Sequence, residues 1–170
     1  MTVIGLLILP LLVSCTFSPP DPSPPIVELS GDTCNIKYGE NSYKATVTHM
    51  LQGVTSITFA EPDTINGIVY TFSGNGCSII FGDLTFSTDR SFMGDTALPQ
   101  IICDVMSSMQ GENALTYVQK EEPQSSTLTT AIFTGKTQKY NYKVTTDFNS
   151  GYIKEIEVGD CDLLLTFSNK

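Results

Sequence analysis

The sequence predicts an α+β fold in which one curved antiparallel β-sheet wraps around a single principal α-helix. From Thr33 onward, short runs of alternating polar and apolar residues, rich in Thr, Ile, Val, Tyr and Phe, follow one another and predict strands. Turn-forming residues separate these runs, and one segment, 98–109, has the long period of an amphipathic helix. Because the helix lies between two sets of strands, a single sheet curved around it is the simplest arrangement.

The predicted strands are short and should pair mostly as hairpins. Residues that tolerate positive φ occur between many of them, as in Gly39-Glu40, Gly74-Asn75 and Gly82-Asp83. The expected strands span residues 34–38, 43–50, 55–60, 67–72, 77–81, 84–87, 115–120, 127–134, 139–146, 152–158 and 162–167.

The predicted helix carries one apolar stripe, which should lie against a face of the sheet. Asp95 or Thr96 is expected to cap its first turn, Pro99 is tolerated early in it, and Gly111 ends it. Gln100 and three other polar residues fall off the stripe. Each buried apolar side chain contributes about 1.5 to 3 kcal/mol, so the stripe should contribute strongly to the core. Its members are Leu98, Ile101, Ile102, Val105 and Met109.

The N-terminal apolar stretch is too short to cross a membrane. Residues 3–13 are interrupted by Pro10 and would span about 16 Å as a helix, against about 30 Å of hydrocarbon. Residues 1–14 are therefore expected to be a signal peptide. The run Leu-Leu-Val-Ser-Cys that ends at Cys15 resembles the lipobox of bacterial lipoprotein precursors. This resemblance implies cleavage before Cys15, acylation of its thiol, and export to the outer side of the bacterial cell membrane. Since no basic residue precedes Lys37, we expect the natural start to lie upstream of Met1.

After Cys15 the sequence predicts a tether, residues 15–30, and then one domain, residues 31–170. The segment 16–25 carries five prolines and no aliphatic residue, so it should be extended and able to hold the domain away from the bilayer. The remainder has the size of one ordinary domain with a real core.

The charge of the chain limits its partners. Eighteen acidic residues against nine basic ones give a net charge of -9, which disfavours both nucleic acid and direct adsorption to anionic headgroups. We therefore expect the acyl chains on Cys15 to be the membrane contact.

Four cysteines follow Cys15, and their positions favour buried free thiols. Cys103 lies in the helix close to its apolar stripe, whereas Cys34, Cys77 and Cys161 continue the inward-facing set of their strands. Export also permits oxidation, and a bridge between Cys34 and Cys77 is the best disulfide candidate if their two hairpins lie side by side.

No pattern in the sequence predicts catalysis, a cofactor or a metal. His49 is the only histidine and alternates with Val47, which indicates a strand residue more than a general base. No nucleophile elbow, phosphate-binding loop or zinc spacing occurs. One acidic cluster could in principle hold calcium, but a solvated face is the preferred interpretation. Its members are Glu155, Glu157, Asp160 and Asp162.

The order of residues 57–62, 67–70, 140–148 and 151–158 resembles that of the lipoprotein-carrier (LolA-like) half-barrel proteins and their membrane-anchored relatives. This resemblance implies a half-barrel whose apolar concavity accommodates acyl chains. A chain anchored through Cys15 cannot shuttle between membranes, so only the shape and the pocket carry over.

These observations predict an anchored, non-catalytic domain that binds an apolar ligand or a lipidated partner between helix and sheet. One alternative is that the same residues fill a closed core. Another is an interaction module whose sheet edge or acidic face docks an envelope protein, and an enzyme of unrecognised type is the third. The candidate pocket residues are Phe59, Tyr70, Phe72, Ile101, Val105, Tyr142 and Leu165.

Overall fold

The computed structural model describes residues 21–111, 113–118 and 129–168. In this part the chain forms eleven strands and one α-helix, α1 (Leu98–Ser108). The first six strands precede the helix: β1 (Leu29–Tyr38), β2 (Asn41–His49), β3 (Thr55–Glu61), β4 (Val69–Ser73), β5 (Gly76–Phe81) and β6 (Leu84–Asp89). The other five follow it: β7 (Leu115–Val118), β8 (Thr130–Lys136), β9 (Asn141–Asp147), β10 (Ile153–Val158) and β11 (Leu163–Phe167).

All eleven strands belong to one antiparallel sheet, in the order β6-β5-β4-β3-β2-β1-β11-β10-β9-β8-β7. Each half is a meander of neighbouring hairpins, and the pairing of β1 with β11 joins the two halves at the centre. The terminal strands β6 and β7 are edges, so the sheet is open. The predicted fold class is confirmed, since every predicted strand and the single helix are present.

The sheet curves strongly around α1. The helix contacts β3 on one side and β8 on the other, and these strands are six steps apart in the sheet. A flat sheet would separate them by about 29 Å, at about 4.8 Å per step, whereas a helix is only about 10 to 12 Å across. Contact with both strands therefore requires a concave face, and the core lies between that face and the helix.

The helix is buried on more sides than its apolar stripe predicts. All five stripe residues are buried, but so are Cys103 and Met106. Gln100, expected on the polar side, is also buried and donates from Nε2 to Asp104 at 3.0 Å. The polar side of the helix is covered because the connection from β6 to α1 folds back over it, through a contact between Arg90 and Asp104.

The predicted capping of α1 by Asp95 or Thr96 is wrong. The helix begins after Ala97, whose side chain makes no capping hydrogen bond. Residues 95 and 96 are held through their backbones instead. Tyr38 donates its hydroxyl to the carbonyl of Thr96 at 2.8 Å, and Tyr140 donates to that of Asp95 at 2.9 Å. Two strands thus fix the N-terminal end of the helix.

β1 begins at Leu29, five residues earlier than predicted, and so includes the end of the expected tether. The register shifts between Ser30 and Asp32. Gly31 lies between them with φ of +79°, so it forms a bulge inside the strand and not a break before it. Among the described residues, no helix has the length and apolar character needed to span a membrane.

Candidate functional site

The pocket predicted between helix and sheet is filled by its own side chains. Six of the seven candidate residues are buried at 3% exposure or less, and only Tyr70, on β4, is partly exposed. The structure therefore places these six in a packed core, as the alternative interpretation of the sequence expected. They are Phe59, Phe72, Ile101, Val105, Tyr142 and Leu165.

The larger cavities along the described surface lie away from the helix–sheet interface. One, of about 670 Å³, is lined by residues of the N-terminal segment and the start of β10, including Ile26 and Tyr152. Others measure about 530 Å³, around Lys136 and Asp160, and about 330 Å³, on the convex face. One of about 510 Å³ reaches the C-terminal end of α1 at Met109. None of these opens along the body of α1.

An apolar surface remains uncovered on the concave face beyond the helix. Residues paired across antiparallel strands share a face, so Tyr70, Ile79 and Phe86 form one row, and Phe81 pairs with Leu84 on the same side. Leu84 is 74% exposed, Phe86 61% and Phe81 50%. We call these five residues the apolar shelf.

Aromatic contacts connect the apolar shelf to the core. Phe59 lies edge-on between Tyr43 and Tyr70, with ring centroids 5.9 and 6.1 Å apart. Burial raises the pKa of Tyr70, so its hydroxyl remains protonated at neutral pH. Phe59 and Tyr70 are thus the two predicted pocket residues that border an open apolar surface.

An ion pair closes the other margin of this surface. Arg90, just after β6, pairs with Asp104 of the helix at 2.5 Å, and its guanidinium lies 5.5 Å from the ring centroid of Phe72. The amide of Gln100 donates to the same carboxylate oxygen. This cluster fixes the β6–α1 connection to the helix and separates the packed core from the exposed shelf.

The edge strand β6 lacks the features that usually protect a sheet edge. Its sequence, Leu-Thr-Phe-Ser-Thr-Asp, contains no lysine or proline, its register with β5 has no bulge, and all its residues except Thr88 are exposed. In a hairpin closed by two residues, the flanking pair Phe81–Leu84 exchanges hydrogen bonds, so the N–H groups of Thr85 and Ser87 point away from β5. These groups can bind an added strand.

A buried polar chain runs from the end of the helix to the sheet. The amide nitrogen of Gln110 lies 2.9 Å from both the Met50 carbonyl oxygen and Nε2 of His49. Because the carbonyl can only accept, this nitrogen is the NH2 group of the amide, which donates to both neighbours. His49 Nε2 therefore accepts from Gln110, and Nδ1 donates to the Thr55 hydroxyl at 2.8 Å. Burial lowers the pKa of His49, and it raises that of Cys103 against an opposing hydrogen bond from Thr55. His49 is fully buried, so these hydrogen bonds join the end of the helix to the inner face of the sheet.

The proposed disulfide between Cys34 and Cys77 is not formed. Both are free thiols, as are Cys103 and Cys161. Cys34 lies on β1 and Cys77 on β5, with three strands between them, whereas a disulfide needs Cα atoms within about 7 Å. Burial raises the pKa of Cys34 to about 12, which keeps this thiol unreactive.

The end of the predicted tether is attached to the domain. Ser23 N donates to the carbonyl of Phe148 at 2.9 Å, and Ile26 N donates to that of Gly151 at 2.9 Å. The fit is close, because a Cβ on Gly151 would overlap the carbonyl of Pro24. The free part of the tether is therefore shorter than predicted. Cys15 and residues 1–20 lie outside the described part of the chain.

Within the described ranges, no three His, Cys, Asp or Glu side chains gather as a metal site would require. Two members of the acidic cluster have other partners. Glu157 forms an ion pair with Lys143, and Asp160 accepts from the backbone of Asn141 at 3.0 Å.

The sequence contained part of the signal for the apolar shelf. Ile79, Phe81, Leu84 and Phe86 were not predicted as site residues, although the turn at residues 82–83 already places them on one face of a hairpin. What the sequence did not show is that β6 is an edge and that α1 leaves this hairpin uncovered.

No protein-family model and no curated protein match this sequence. Among solved structures, the chain is similar to the crystal structure of a LolA superfamily protein from Nitrosomonas europaea. The two share 8% sequence identity over 84% of this chain and 87% of the other, with a TM-score of 0.42. The fold described above is defined by the strand order and helix contacts of this chain alone.

Proposed function

We propose that this chain is an exported lipoprotein, anchored through acylated Cys15, whose non-catalytic domain binds an apolar ligand such as an acyl chain on the apolar shelf. The observation that carries the proposal is the shelf itself, where Phe81, Leu84 and Phe86 are exposed on the concave face of an otherwise packed sheet. Contiguous exposed apolar residues on a soluble domain mark binding surfaces.

The dimensions of the shelf suit an extended apolar chain. From β4 to β6 it crosses two strand spacings, about 10 Å. Each methylene removed from water there contributes about 0.8 kcal/mol, so a ligand gains affinity from length without needing a deep cavity. The ordered Phe59–Tyr70 contact provides a preformed inner wall, which lowers the entropic cost of binding.

Titration with a fluorescent acyl probe tests this binding. The full chain carrying Cys15→Ser, which removes its own lipid, is titrated with dansyl-labelled undecanoate. Phe86→Asp places a charge on the shelf and should weaken binding at least tenfold. Ile80→Asp is the matched control, because Ile80 lies on the same hairpin but faces the convex side. Equal affinity in the two variants, with both folded by circular dichroism, rules out the shelf as the binding surface.

The anchoring is tested separately. Cys15→Ser should move the protein from the membrane fraction to the soluble fraction, and mass spectrometry of the unsubstituted protein should show a diacyl group at Cys15. Retention of the serine variant on the membrane contradicts the anchoring, whatever the result of the probe titration.

A second function is favoured by the unprotected edge of β6, which could pair with a strand of an envelope protein. Ser87→Pro removes an outward N–H without removing a hydrogen bond to β5. Photocrosslinking from position 85 in cells should identify one partner, and Ser87→Pro should abolish that crosslink while leaving binding of dansyl-labelled undecanoate intact. A crosslink that survives the proline refutes strand pairing at this edge.

A further inference from the structure

The N-terminal segment attaches to the domain at one end of the sheet. Ser23 and Ile26 bind the backbone of the β9–β10 turn. That turn is itself rigid, since Asp147 accepts from the backbone N–H groups of Ser150, at 3.0 Å, and Asn149, at 3.2 Å. These hydrogen bonds and the neighbouring Lys154 lower the pKa of Asp147, so the turn keeps its charge and shape at neutral pH. The tether therefore leaves the domain from a fixed point.

Four exposed apolar side chains surround that point. Leu51 is 67% exposed at the tip of the β2–β3 turn, where the adjacent Met50 is also exposed, and Tyr152 is 61% exposed beside the β9–β10 turn, to which the exposed Ile26 is attached. Leu51 lines the 510 Å³ cavity together with Pro24 and Pro25, and Ile26 and Tyr152 share the 670 Å³ cavity. We call Ile26, Met50, Leu51 and Tyr152 the tether-end patch.

The turn that carries Leu51 is well held. Gly53 N donates to the carbonyl of Met50 at 2.9 Å, Met50 N donates to that of Val54 at 2.9 Å, and the Gln110 amide donates to the Met50 carbonyl from the helix. An ordered turn thus holds the Leu51 side chain in solvent. Exposing this apolar side chain is unfavourable, and it gives no benefit to a domain that contacts nothing else.

The distance to the lipid is limited by the chain. Seven residues, 16–22, connect Cys15 to the attached Ser23, so fully extended the connection reaches at most about 29 Å. The tether-end patch surrounds the point where this connection starts, so it is the part of the domain nearest to the acyl chains. Because the tether holds the patch near the bilayer, even weak apolar contacts between the patch and the lipid are formed much of the time.

We propose that the tether-end patch lies against the surface of the bilayer that holds Cys15, with Leu51 and Tyr152 at the boundary between headgroups and acyl chains. This inference rests on the proposed lipid anchoring. Tyrosine is typical of interfacial contacts, where its apolar ring and its polar hydroxyl are both satisfied, and leucine adds purely apolar contact with the acyl chains. Glu28, exposed beside Ile26, disfavours anionic headgroups, so the contact is apolar and should be strongest with zwitterionic lipid.

The contact fixes the orientation of the domain. Leu51 lies just beyond one end of the sheet, which is marked by the paired residues Thr55, Phe72 and Cys77. The turn between β5 and β6 lies at the opposite end, about 13 Å along β5 from Cys77. The exposed turn of the β5–β6 hairpin therefore points away from the membrane, and the shelf stays accessible from the aqueous side.

The chain contains no tryptophan, so one introduced tryptophan reports its own environment. We compare Leu51→Trp with Ile80→Trp, because Ile80 is exposed on the convex face, outside the apolar shelf and towards the opposite end of the sheet from Leu51. The lipidated proteins are reconstituted into phosphatidylcholine vesicles brominated in the acyl chains. Quenching by bromine should reduce the emission of Leu51→Trp at least twofold, with a blue shift, and leave Ile80→Trp within about 10% of its value in unbrominated vesicles.

The outcomes separate this inference from the anchoring on which it rests. If the protein does not cosediment with the vesicles, the anchoring fails. If it cosediments but Leu51→Trp is unquenched, or is quenched no more than Ile80→Trp, the tether-end contact is refuted. Tyr152→Trp is a second reporter from the same patch and should also be quenched at least twofold. Adding Gly151→Ala to Leu51→Trp, which displaces Pro24 and frees the tether, should reduce the quenching while cosedimentation is retained.

Discussion

Gly135→Ala should destabilise the domain strongly, although alanine is normally at least as favourable as glycine in a strand. Gly135 on β8 pairs with Tyr142 on β9, and the tyrosine ring lies over it. A Cβ at Gly135 would be 2.7 Å from Cε2 of Tyr142 and closer still to Cζ and the hydroxyl, whereas carbon atoms pack at about 3.5 to 4.0 Å. The ring must therefore move by about 1 Å or more.

The ring has little space to move. Tyr142 is 3% exposed, and its hydroxyl accepts from Ser108 of the helix at 2.9 Å, so a shift of that size lengthens the hydrogen bond to about 3.9 Å and breaks it. Its loss costs about 0.5 to 1.5 kcal/mol and the overpacking about 1 to 3 kcal/mol. The reduced entropy of the unfolded alanine chain offsets about 0.4 to 1 kcal/mol. We expect a net loss of about 1.5 to 3 kcal/mol in the free energy of unfolding.

Urea unfolding followed by circular dichroism measures this loss, with Cys15→Ser in every protein. Gly76→Ala is the control, because a Cβ there meets only the Ser73 carbonyl oxygen, at 3.4 Å, and should change stability by less than about 0.5 kcal/mol. Combining Gly135→Ala with Tyr142→Leu should cost at least about 1 kcal/mol less than the sum of the two single changes. The steric reasoning is refuted if Gly135→Ala is as stable as Gly76→Ala.

Three further predictions concern the helix and its contacts. Met106→Ala, at a fully buried position, should cost about 2 to 5 kcal/mol in urea unfolding, and a loss below 1 kcal/mol would show that the helix is not packed as described. Because the pKa of His49 is lowered on folding, the folded state binds fewer protons, so stability should fall as pH drops below about 6.5, by up to about 1.4 kcal/mol per unit. The pH dependence of urea unfolding between 7.5 and 5 should become flatter in His49→Gln, and an unchanged slope contradicts this assignment. Arg90→Met removes the cationic partner of Asp104, leaving only the Gln100 amide to donate to it, and should cost about 1 to 3 kcal/mol in urea unfolding. High salt should destabilise the unsubstituted protein less than this substitution does, because the ion pair is partly buried; an equal effect of salt contradicts this reasoning.

The local structure was largely predictable because it depends on neighbouring residues. Alternating polarity located the strands, and turns such as Gly82-Asp83 defined the hairpins. The same reasoning placed Phe59 and Phe72 on the inner face. Bulges are harder to predict from sequence, since a single glycine such as Gly31 breaks the alternation of polar and apolar residues without ending the strand.

The functional surface was less predictable because it depends on contacts between distant parts of the chain. Whether Phe86 is buried depends on how far α1 extends across the sheet. The position of α1 depends in turn on the β1–β11 pairing, which the local sequence pattern does not encode. The attachment of Pro24 to Gly151 is a similar case. The proline-rich composition predicts an extended tether but contains no signal for the residue on which Pro24 packs.

The central pairing of β1 with β11 has a consequence for the order of folding during synthesis. The hairpins β1–β6 can form as soon as they emerge, but the edge of β1 that receives β11 stays open until β11 has been synthesised. Because the helix contacts strands from both halves, it cannot be fully enclosed before then. We therefore expect joining of the two halves to be the slowest step and the period of greatest exposure to aggregation, when a chaperone would protect the chain most.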